Sequence, residues 1–308
     1  MSRSTPTFDT ASLVEDVSLK RIAQYFGVLV FLAFFLAPLE AGLVTAIKTQ
    51  GAVARTLPFL PPLGEGLTLE NLQFAFERLS GSFLNSLLMA IPATIVNVLL
   101  ASMAAFGLTM VRWRGQLLLL SLFLIGIFVP YQAVLVPLAD FWNNIFPLAD
   151  VLEPLFSVIP LLQGYHSELV PLMITHIAYG IPICTILFRS YYKSLPNSLI
   201  EAAKIDGASI TKIYRRVVLP LSLPMFGVVF IYQFTQIYNE FLFAFTLIVN
   251  ADAAAAPVTL VIPSIGASTS GINYGVRMSA ALLAALPTII IYIAFAEQFA
   301  RGLRTESG

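Results

Sequence analysis

The sequence predicts an all-α membrane protein with six transmembrane helices, and two observations carry this prediction. First, 58% of the 308 residues are hydrophobic and only 11% are charged, whereas a soluble domain has about 25% charged residues. A chain of this composition cannot cover itself with polar side chains, so lipid is its natural solvent. Second, six stretches reach the roughly 20 apolar residues that a spanning helix needs. They are residues 22–47, 83–111, 117–139, 169–191, 217–249 and 278–300.

The distribution of Lys and Arg predicts how these spans are oriented. Thirteen of the 17 basic residues fall in segments on one side of a six-span topology, and four fall on the other side (Lys48, Arg55, Arg78 and Arg277). Because basic residues collect on the cytoplasmic side, we expect both termini there, as tails 1–21 and 301–308 flanking a membrane domain of residues 22–300. The first span is too long for a signal-peptide core, so we expect an uncleaved helix in a multi-pass protein of the cytoplasmic (inner) membrane.

Composition also excludes several classes of function. The formal net charge is zero, which removes the electrostatic basis for binding nucleic acid. Cys184 is the single cysteine and lies in an apolar run, so we expect a small buried hydrophobe and no internal disulfide. His166 and His176 are ten residues apart, and nothing near them has metal-ligand spacing. We therefore predict neither a metal site nor a catalytic group.

One amphipathic stretch, "EAAKIDGASITKIYRRVVLPLSLP" at residues 201–224, interrupts the apolar spans. Ser198 and Glu201 have capping-box spacing at the start of a short helix, although Ser194 or Asn197 are alternative starts. Gly207 is a natural helix stop, and Ser209 can cap a second helix. In that second helix four residues share one face by their spacing, namely Ile210, Ile213, Tyr214 and Val217.

Two interpretations of this helix–turn–helix remain open from the residues. It lies flat on the anionic inner leaflet with its basic side chains in the headgroups, or it fits a groove on another protein. Ala202 and Ala203 are small and permit close approach to a protein surface. Glu201 and Asp206 would be repelled by anionic lipid. These four residues favour the protein groove.

The sequence then resembles a known family at three places. "EAAKIDGAS" followed by "VVLPLSLP" resembles the EAA loop of binding-protein-dependent ABC importer permeases, in the form usual for the carbohydrate (MalG-like) branch. "YNEFLFAF" from Tyr238 resembles the "WNEF" segment of the family's fifth helix, with tyrosine for tryptophan. "FARGLRTESG" resembles the family's C-terminal tail. Val217 and Val218 are conservative departures from the pattern before Leu219.

This resemblance implies a fold, a role and a set of partners. The fold is the type I (MetI-like) permease fold with a core at about residues 80–298 and a cytoplasmic coupling loop at residues 193–217. The permease itself is not an enzyme and carries no cofactor, and no G-x-x-x-x-G-K-[ST] phosphate loop is present in this sequence. Two separate ATP-binding subunits use ATP and Mg²⁺, a second permease completes a heterodimer, and an extracytoplasmic sugar-binding protein delivers the cargo. Apart from the resemblance, the short segment 48–80 favours a monosaccharide such as glucose over a maltodextrin.

The resemblance and the polar residues within spans define two sets of candidate site residues. The family's docking positions on the ATPase correspond to Glu201, Ala202, Ala203, Asp206 and Gly207. Within the fifth span, a substrate path or gate is expected from Tyr232, Gln233, Gln236, Asn239 and Glu240, because charges and amides inside a membrane usually face a cavity or a partner. Hydrogen bonding between helices is the alternative role for Gln233 and Gln236. A structural or gating role is favoured for Asn239 and Glu240.

Three alternative functions remain at this point. A proton-coupled secondary transporter using Glu40, Glu240 or His176 explains the carboxylates but gives the 201–224 stretch no purpose. A channel or membrane scaffold is a second alternative. Within the ABC class, the cargo is alternatively an amino acid, a peptide or an ion.

Further polar residues lie in or near the spans: Asn97, Gln132, Thr175 and Tyr179.

Overall fold

The computed structural model describes residues 19–111, 113–269 and 271–297. The predicted C-terminal tail 301–308, the "FARGLRTESG" segment and most of the N-terminal tail 1–21 lie outside the described residues. Within them the chain forms fourteen α-helices and one short hairpin. The helices are α1 Leu19–Ala46, α2 Gln50–Arg55, α3 Glu70–Thr109, α4 Gln116–Ile127, α5 Tyr131–Asp140, α6 Leu148–Val158, α7 Leu169–Ser194, α8 Asn197–Ile205, α9 Ile210–Ile213, α10 Leu219–Leu221, α11 Leu223–Tyr238, α12 Leu242–Leu247, α13 Val258–Val261 and α14 Tyr274–Ala294.

Shorter elements connect these helices. A π-helical turn, Phe141–Ile145, continues α5, and a second one, Tyr214–Val218, continues α9. Three 3-10 turns are also present: Gly64–Gly66 before α3, Gly164–Glu168 before α7 and Ile262–Ser264 after α13. The hairpin pairs β1, Ala267–Ser268, with β2, Gly271–Ile272, in antiparallel register.

A bundle of α3, α7, α11 and α14 forms the body of the protein, and α1 packs on α14. Helix α3 has 40 residues, which at 1.5 Å per residue span about 60 Å, well beyond the roughly 30 Å of a bilayer core. Its buried face is rich in small residues, including Ala90, Ala93, Ala101 and Ala105. Small side chains allow α7 to approach closely, as is usual for helix pairs in membranes.

The interior consists of two hydrophobic clusters, one toward each end of the bundle. The first joins the start of α3 and α7 with α12, α13 and α14 around Leu79, Leu172 and Phe243. The second joins the other ends of α3 and α7 with the start of α11. It contains Val98, Ala101, Ala105, Phe106, Cys184, Phe188, Tyr192, Ile200, Ile213, Val218 and Val229. The buried position of Cys184 agrees with its predicted role as a small hydrophobe.

Two of the predicted spans are broken. Residues 117–139 form α4 and then α5 at an angle of 96°. Pro130 stands at the N-cap of α5 with extended backbone, and the residue before a proline is disfavoured in helical conformation. Residues 217–249 are broken at Ser222, where the chain bends by 75°, and again between α11 and α12 at Asn239–Phe241.

These breaks determine how many spans the structure offers. In the described part of the chain, four helices are long and apolar enough to cross a membrane, and each bent pair adds one more if it is a single span. The count is therefore four to six. The four uninterrupted ones contain α1, α3, α7 and α14.

Candidate functional site: a helix–turn–helix loop and an intramembrane polar cluster

Helix α8 has one face seated on the bundle and one face exposed. Ile200 is only 5% exposed and belongs to the second hydrophobic cluster, and Ala203 packs beside it. Glu201 and Ala202 lie on the exposed side, and Ile205 is 86% exposed. Residues three apart on a helix share a face, so Ile200 and Ala203 hold α8 in place while the acidic and apolar remainder is presented outward.

The start of α8 differs from the predicted capping box. The helix begins at Asn197 with Pro196 at the N-cap position. Ser198 therefore lies inside the first turn, where its hydroxyl is not in the capping position. Within the described residues the Ser198–Glu201 capping box is not formed, and Glu201 keeps an exposed carboxylate. The alternative start at Asn197 is the one adopted.

The turn after α8 is a Schellman motif centred on Gly207. The Ala208 N–H donates to Ala203 O at 3.0 Å and the Gly207 N–H donates to Lys204 O at 3.0 Å, which are the two bonds that define the motif. Gly207 has φ +71°, a conformation that glycine adopts without the cost paid by other residues. The Lys212 N–H then donates to Ser209 Oγ at 3.3 Å. The predicted stop at Gly207 and the predicted cap at Ser209 are confirmed.

The second half of the loop departs from ideal helical periodicity. The π turn Tyr214–Val218 inserts one extra residue per turn relative to an α-helix. Ile213 and Val218 on either side of this change are buried, whereas Ile210 at the start of α9 is 55% exposed. The four residues predicted to share one face therefore differ in burial: Ile213 is buried, Tyr214 and Val217 are half-buried, and Ile210 is exposed.

A second region of interest is a small polar cavity among α5, α7 and α11. Its lining includes Tyr131, His176, Tyr179, Tyr232, Gln236 and Glu240. His176 Nε2 lies 3.8 Å from Glu240 Oε2, and both side chains are almost fully buried. The ring of Phe243 contacts Tyr131, His176 and Tyr179, with centroids 4.9–5.5 Å apart. Aromatic faces beside carboxylate, amide and hydroxyl groups are suited to a polyhydroxylated ligand.

Glu240 also has a clear structural contact. Its Oε1 accepts from the Leu242 N–H at 2.5 Å, and its Oε2 accepts from the Phe243 N–H at 2.9 Å. A carboxylate on the free N–H groups at a helix start stabilises that helix. Glu240 therefore holds the start of α12 against the end of α11, at the second break of the fifth predicted span.

The remaining predicted path residues separate into buried and exposed ones. Gln233 is 3% exposed, and its Oε1 lies 3.3 Å from Cys184 Sγ. Gln236 Nε2 donates to Tyr232 OH at 3.2 Å and Asn239 Nδ2 donates to Thr235 O at 2.9 Å; both amides are exposed. Gln233 thus has the packing of a helix–helix contact, whereas Gln236 and Asn239 bond only within their own helix among the described contacts.

One cavity residue was missed from the sequence, and one predicted carboxylate lies elsewhere. Tyr131 follows directly after the break at Pro130. Because this stretch was interpreted as one continuous span, nothing in the sequence indicated that Tyr131 faces the cavity. Glu40 lies on the exposed surface of α1. Among the described residues, Glu40 and Glu240 do not form one site.

Apolar helices around a polar cavity, together with an anchored and exposed loop, are the arrangement expected of a membrane transport component. The family model for the binding-protein-dependent transport system inner membrane component matches residues 97–305. The chain belongs to this family, whose members are the permease subunits of ABC importers.

Individual relatives agree with this assignment. A xylose/arabinose import permease of Haloferax volcanii is 74% identical over 306 residues, which is 99% of each protein. A probable ABC transporter permease of Pyrococcus horikoshii is 37% identical over 290 residues, which is 93% of this chain and 96% of the relative. Among solved structures, a bacterial ABC transporter for alginate import matches with a TM-score of 0.67 at 16% identity, over 96% of this chain and 100% of that one.

Family membership decides several open questions. The fold is the MetI-like ABC permease fold, and the protein is a multi-pass membrane subunit. It is not itself an ATPase, because the ATPase of these systems is a separate partner. A partner permease, an ATPase and a substrate-binding protein are general features of such importers. The proton-coupled and channel alternatives are therefore set aside.

Proposed function

We propose that this permease forms half of the pathway by which an ATP-driven importer carries a pentose such as xylose or arabinose. The observation that carries this proposal is the 74% identity, over 99% of both proteins, to a xylose/arabinose import permease. The cargo remains a monosaccharide, as the sequence favoured, but the relative's substrate replaces glucose. The complete importer contains a second, different permease, two ATP-binding subunits that use ATP and Mg²⁺, and an extracytoplasmic sugar-binding protein.

In this proposal α8 docks on the ATPase. Its exposed face offers the Glu201 carboxylate to a basic group of the partner, and Ala202 leaves room for close contact. Ile205 adds an exposed apolar side chain. Closure of the two ATPase subunits around ATP then pulls α8, and the helices above it move between inward-facing and outward-facing arrangements. ATP supplies the binding energy that differs between these two states.

The membrane topology belongs to the same proposal. If each bent pair is one span, the chain crosses six times, with both tails and the 193–217 loop on the cytoplasmic side. Residues 22–300 form the membrane domain, with its core at about residues 80–298. A Cys184→Ser background with single cysteines at exposed Ser198 or Ser268 tests the topology, because impermeant maleimide applied outside should label Ser268→Cys and leave Ser198→Cys unlabelled. Equal labelling of both would contradict it.

For the pathway we propose that the cavity beside Glu240 opens during transport. Gln236 and Tyr232 face its exposed side and have hydroxyl and amide groups that match a sugar. Asn239 and Glu240 lie at the break between α11 and α12, where a change in the helix cap would move α12. Gln233 contributes by holding α7 and α11 together.

The docking proposal is tested with Glu201→Lys in the complete importer reconstituted in vesicles. We expect loss of xylose and arabinose uptake and of sugar-stimulated ATP hydrolysis, with a normal amount of permease in the membrane. Glu65→Lys, which reverses an exposed carboxylate on the 3-10 turn before α3, is the matched control and should transport normally. Normal coupled uptake by Glu201→Lys would refute docking through α8.

The substrate is tested separately with the unmodified importer. Uptake of labelled xylose or arabinose should be competed by the other pentose and not by maltose. Uptake of glucose without either pentose would refute the proposed cargo and leave the docking proposal intact.

A further inference from the structure

The loop of residues 197–221 has a weak mechanical connection along the chain to α11. After α9 come the π turn Tyr214–Val218, the three-residue α10 and the 75° bend at Ser222. π turns and sharp bends interrupt the regular hydrogen bonds that make a helix stiff. A displacement of α8 is therefore not passed to α11 as through a continuous rod.

Side-chain contacts offer a second route, into α3 and α7. Ser102 Oγ, on α3, lies 2.6 Å from Tyr192 OH on α7 and 2.7 Å from Tyr214 OH in the loop. Ser102 and Tyr192 are fully buried. Both distances are within the normal range for O–H···O hydrogen bonds. One buried serine hydroxyl thus joins α3, α7 and the loop.

The surrounding contacts hold the same part of the loop. The ring of Tyr214 packs on Phe106, one turn beyond Ser102 on α3, with centroids 5.1 Å apart. At the far end of the loop, Tyr191 OH donates to Leu221 O at 2.9 Å. The start of the π turn is therefore held against α3 and α7, and the end of α10 is held to α7, on either side of the least regular part of the chain.

We propose that the hydroxyls of Ser102, Tyr192 and Tyr214 form a latch through which movement of the loop reaches α3 and α7. This inference rests on the proposed docking of α8. Helix α7 also carries His176 and Tyr179 of the polar cavity, and α3 carries Asn97, which donates to Ile177 O at 2.9 Å. The stroke of the ATPase thus reaches the cavity through α3 and α7, and α11 follows.

The test measures sugar transported per ATP hydrolysed by the complete importer in vesicles. Tyr214→Phe and Ser102→Ala should still assemble with the ATPase and hydrolyse ATP, because α8 is unchanged. Tyr214→Phe removes one hydrogen bond and should lower the transport-to-hydrolysis ratio by roughly tenfold. Ser102→Ala removes both bonds of the serine hydroxyl and should lower the ratio at least as much. Ser102→Thr keeps the hydroxyl and should restore most of the ratio, which distinguishes a latch from general packing.

Two controls remove hydroxyls that lie outside the latch. Tyr25→Phe changes an exposed tyrosine of α1, and Ser121→Ala changes a half-buried serine of α4 whose hydroxyl bonds within its own helix. Both should keep the normal ratio. If Ser102→Ala reduces the amount of assembled complex, Tyr214→Phe decides the result, since it removes one oxygen from a half-buried ring.

The outcomes separate this inference from the proposed function. A normal ratio in Tyr214→Phe and Ser102→Ala, beside an inactive Glu201→Lys, overturns the latch and leaves docking in place. Normal transport in all three variants overturns docking and the latch together. A lowered ratio in both Tyr214→Phe and Ser102→Ala, together with a nearly normal ratio in Ser102→Thr, supports the latch.

Discussion

Gly207 is a position where a larger side chain would strain the backbone without clashing with neighbouring atoms. Its φ is +71°, and a Cβ added there would meet nothing within 4 Å. A branched residue therefore adds strain only through the left-handed backbone, which costs about 1–2 kcal/mol for an L-residue. If Gly207→Val relaxes the turn in the free permease, the turn must be re-formed on docking. The affinity for the ATPase should then fall by about 5- to 30-fold.

The assay titrates the ATPase subunits against the variant permease and follows sugar-stimulated ATP hydrolysis. The half-saturating ATPase concentration should rise by the calculated factor for Gly207→Val. Gly207→Asn should rise much less, because asparagine tolerates the left-handed region. Gly64→Val is the matched control, since Gly64 also has positive φ, at +55°, and open space around it. An unchanged affinity in Gly207→Val, or equal harm from Asn and Val, would refute the reasoning.

Three further predictions concern the membrane interior. Glu240→Ala leaves two N–H groups of α12 without their carboxylate and should lower the stability of the permease by about 1–3 kcal/mol. The loss is measured as a lower melting temperature in detergent, and Glu240→Gln should lose less stability. An unchanged melting temperature in Glu240→Ala would exclude the capping role. Gly180→Ala places a methyl group against the side-chain amides of Asn97 on α3 and Gln233 on α11, and should lower the stability of the permease by about 1–3 kcal/mol. Gly126→Ala is the control, because its Cβ makes only an ordinary contact at 3.9 Å. Equal melting temperatures of the two variants would contradict this packing. Gln236→Ala removes an exposed amide and should alter the sugar dependence of ATP hydrolysis without changing stability; an unaltered dose response would leave the residue outside the pathway.

Local chemistry made parts of the coupling region predictable. Glycine without a Cβ and serine with a nearby hydroxyl act on residues within a few positions of themselves, so the stop at Gly207 and the cap at Ser209 were readable from the sequence. The capping box at Ser198 was not formed because α8 begins at Asn197, which places Ser198 inside the first turn. The roles of Glu201 and its neighbours in docking stay predictions, since they depend on a partner surface.

Interpretation of the intramembrane residues from sequence was limited for a different reason. From the sequence, Gln233 and Gln236 had the same two possible roles, in the substrate path or in a contact between helices. The structure distinguishes Gln233, which is buried between helices, from Gln236, which is exposed. This distinction depends on how α7 and α11 are rotated relative to each other, and apolar residues on all sides of a span give no periodic signal for that rotation.

The sequence by itself determined that the chain is a membrane protein, which of its stretches are apolar enough to cross the bilayer, and where an amphipathic loop lies between those stretches. Those properties follow from hydrophobicity and from contacts between near neighbours in the chain. Only the tertiary structure decided where two spans bend, that Glu240 caps α12, and that Ser102 joins Tyr192 to Tyr214. Each of these depends on side chains or turns brought together by packing between distant helices, and such packing is a property of the whole bundle.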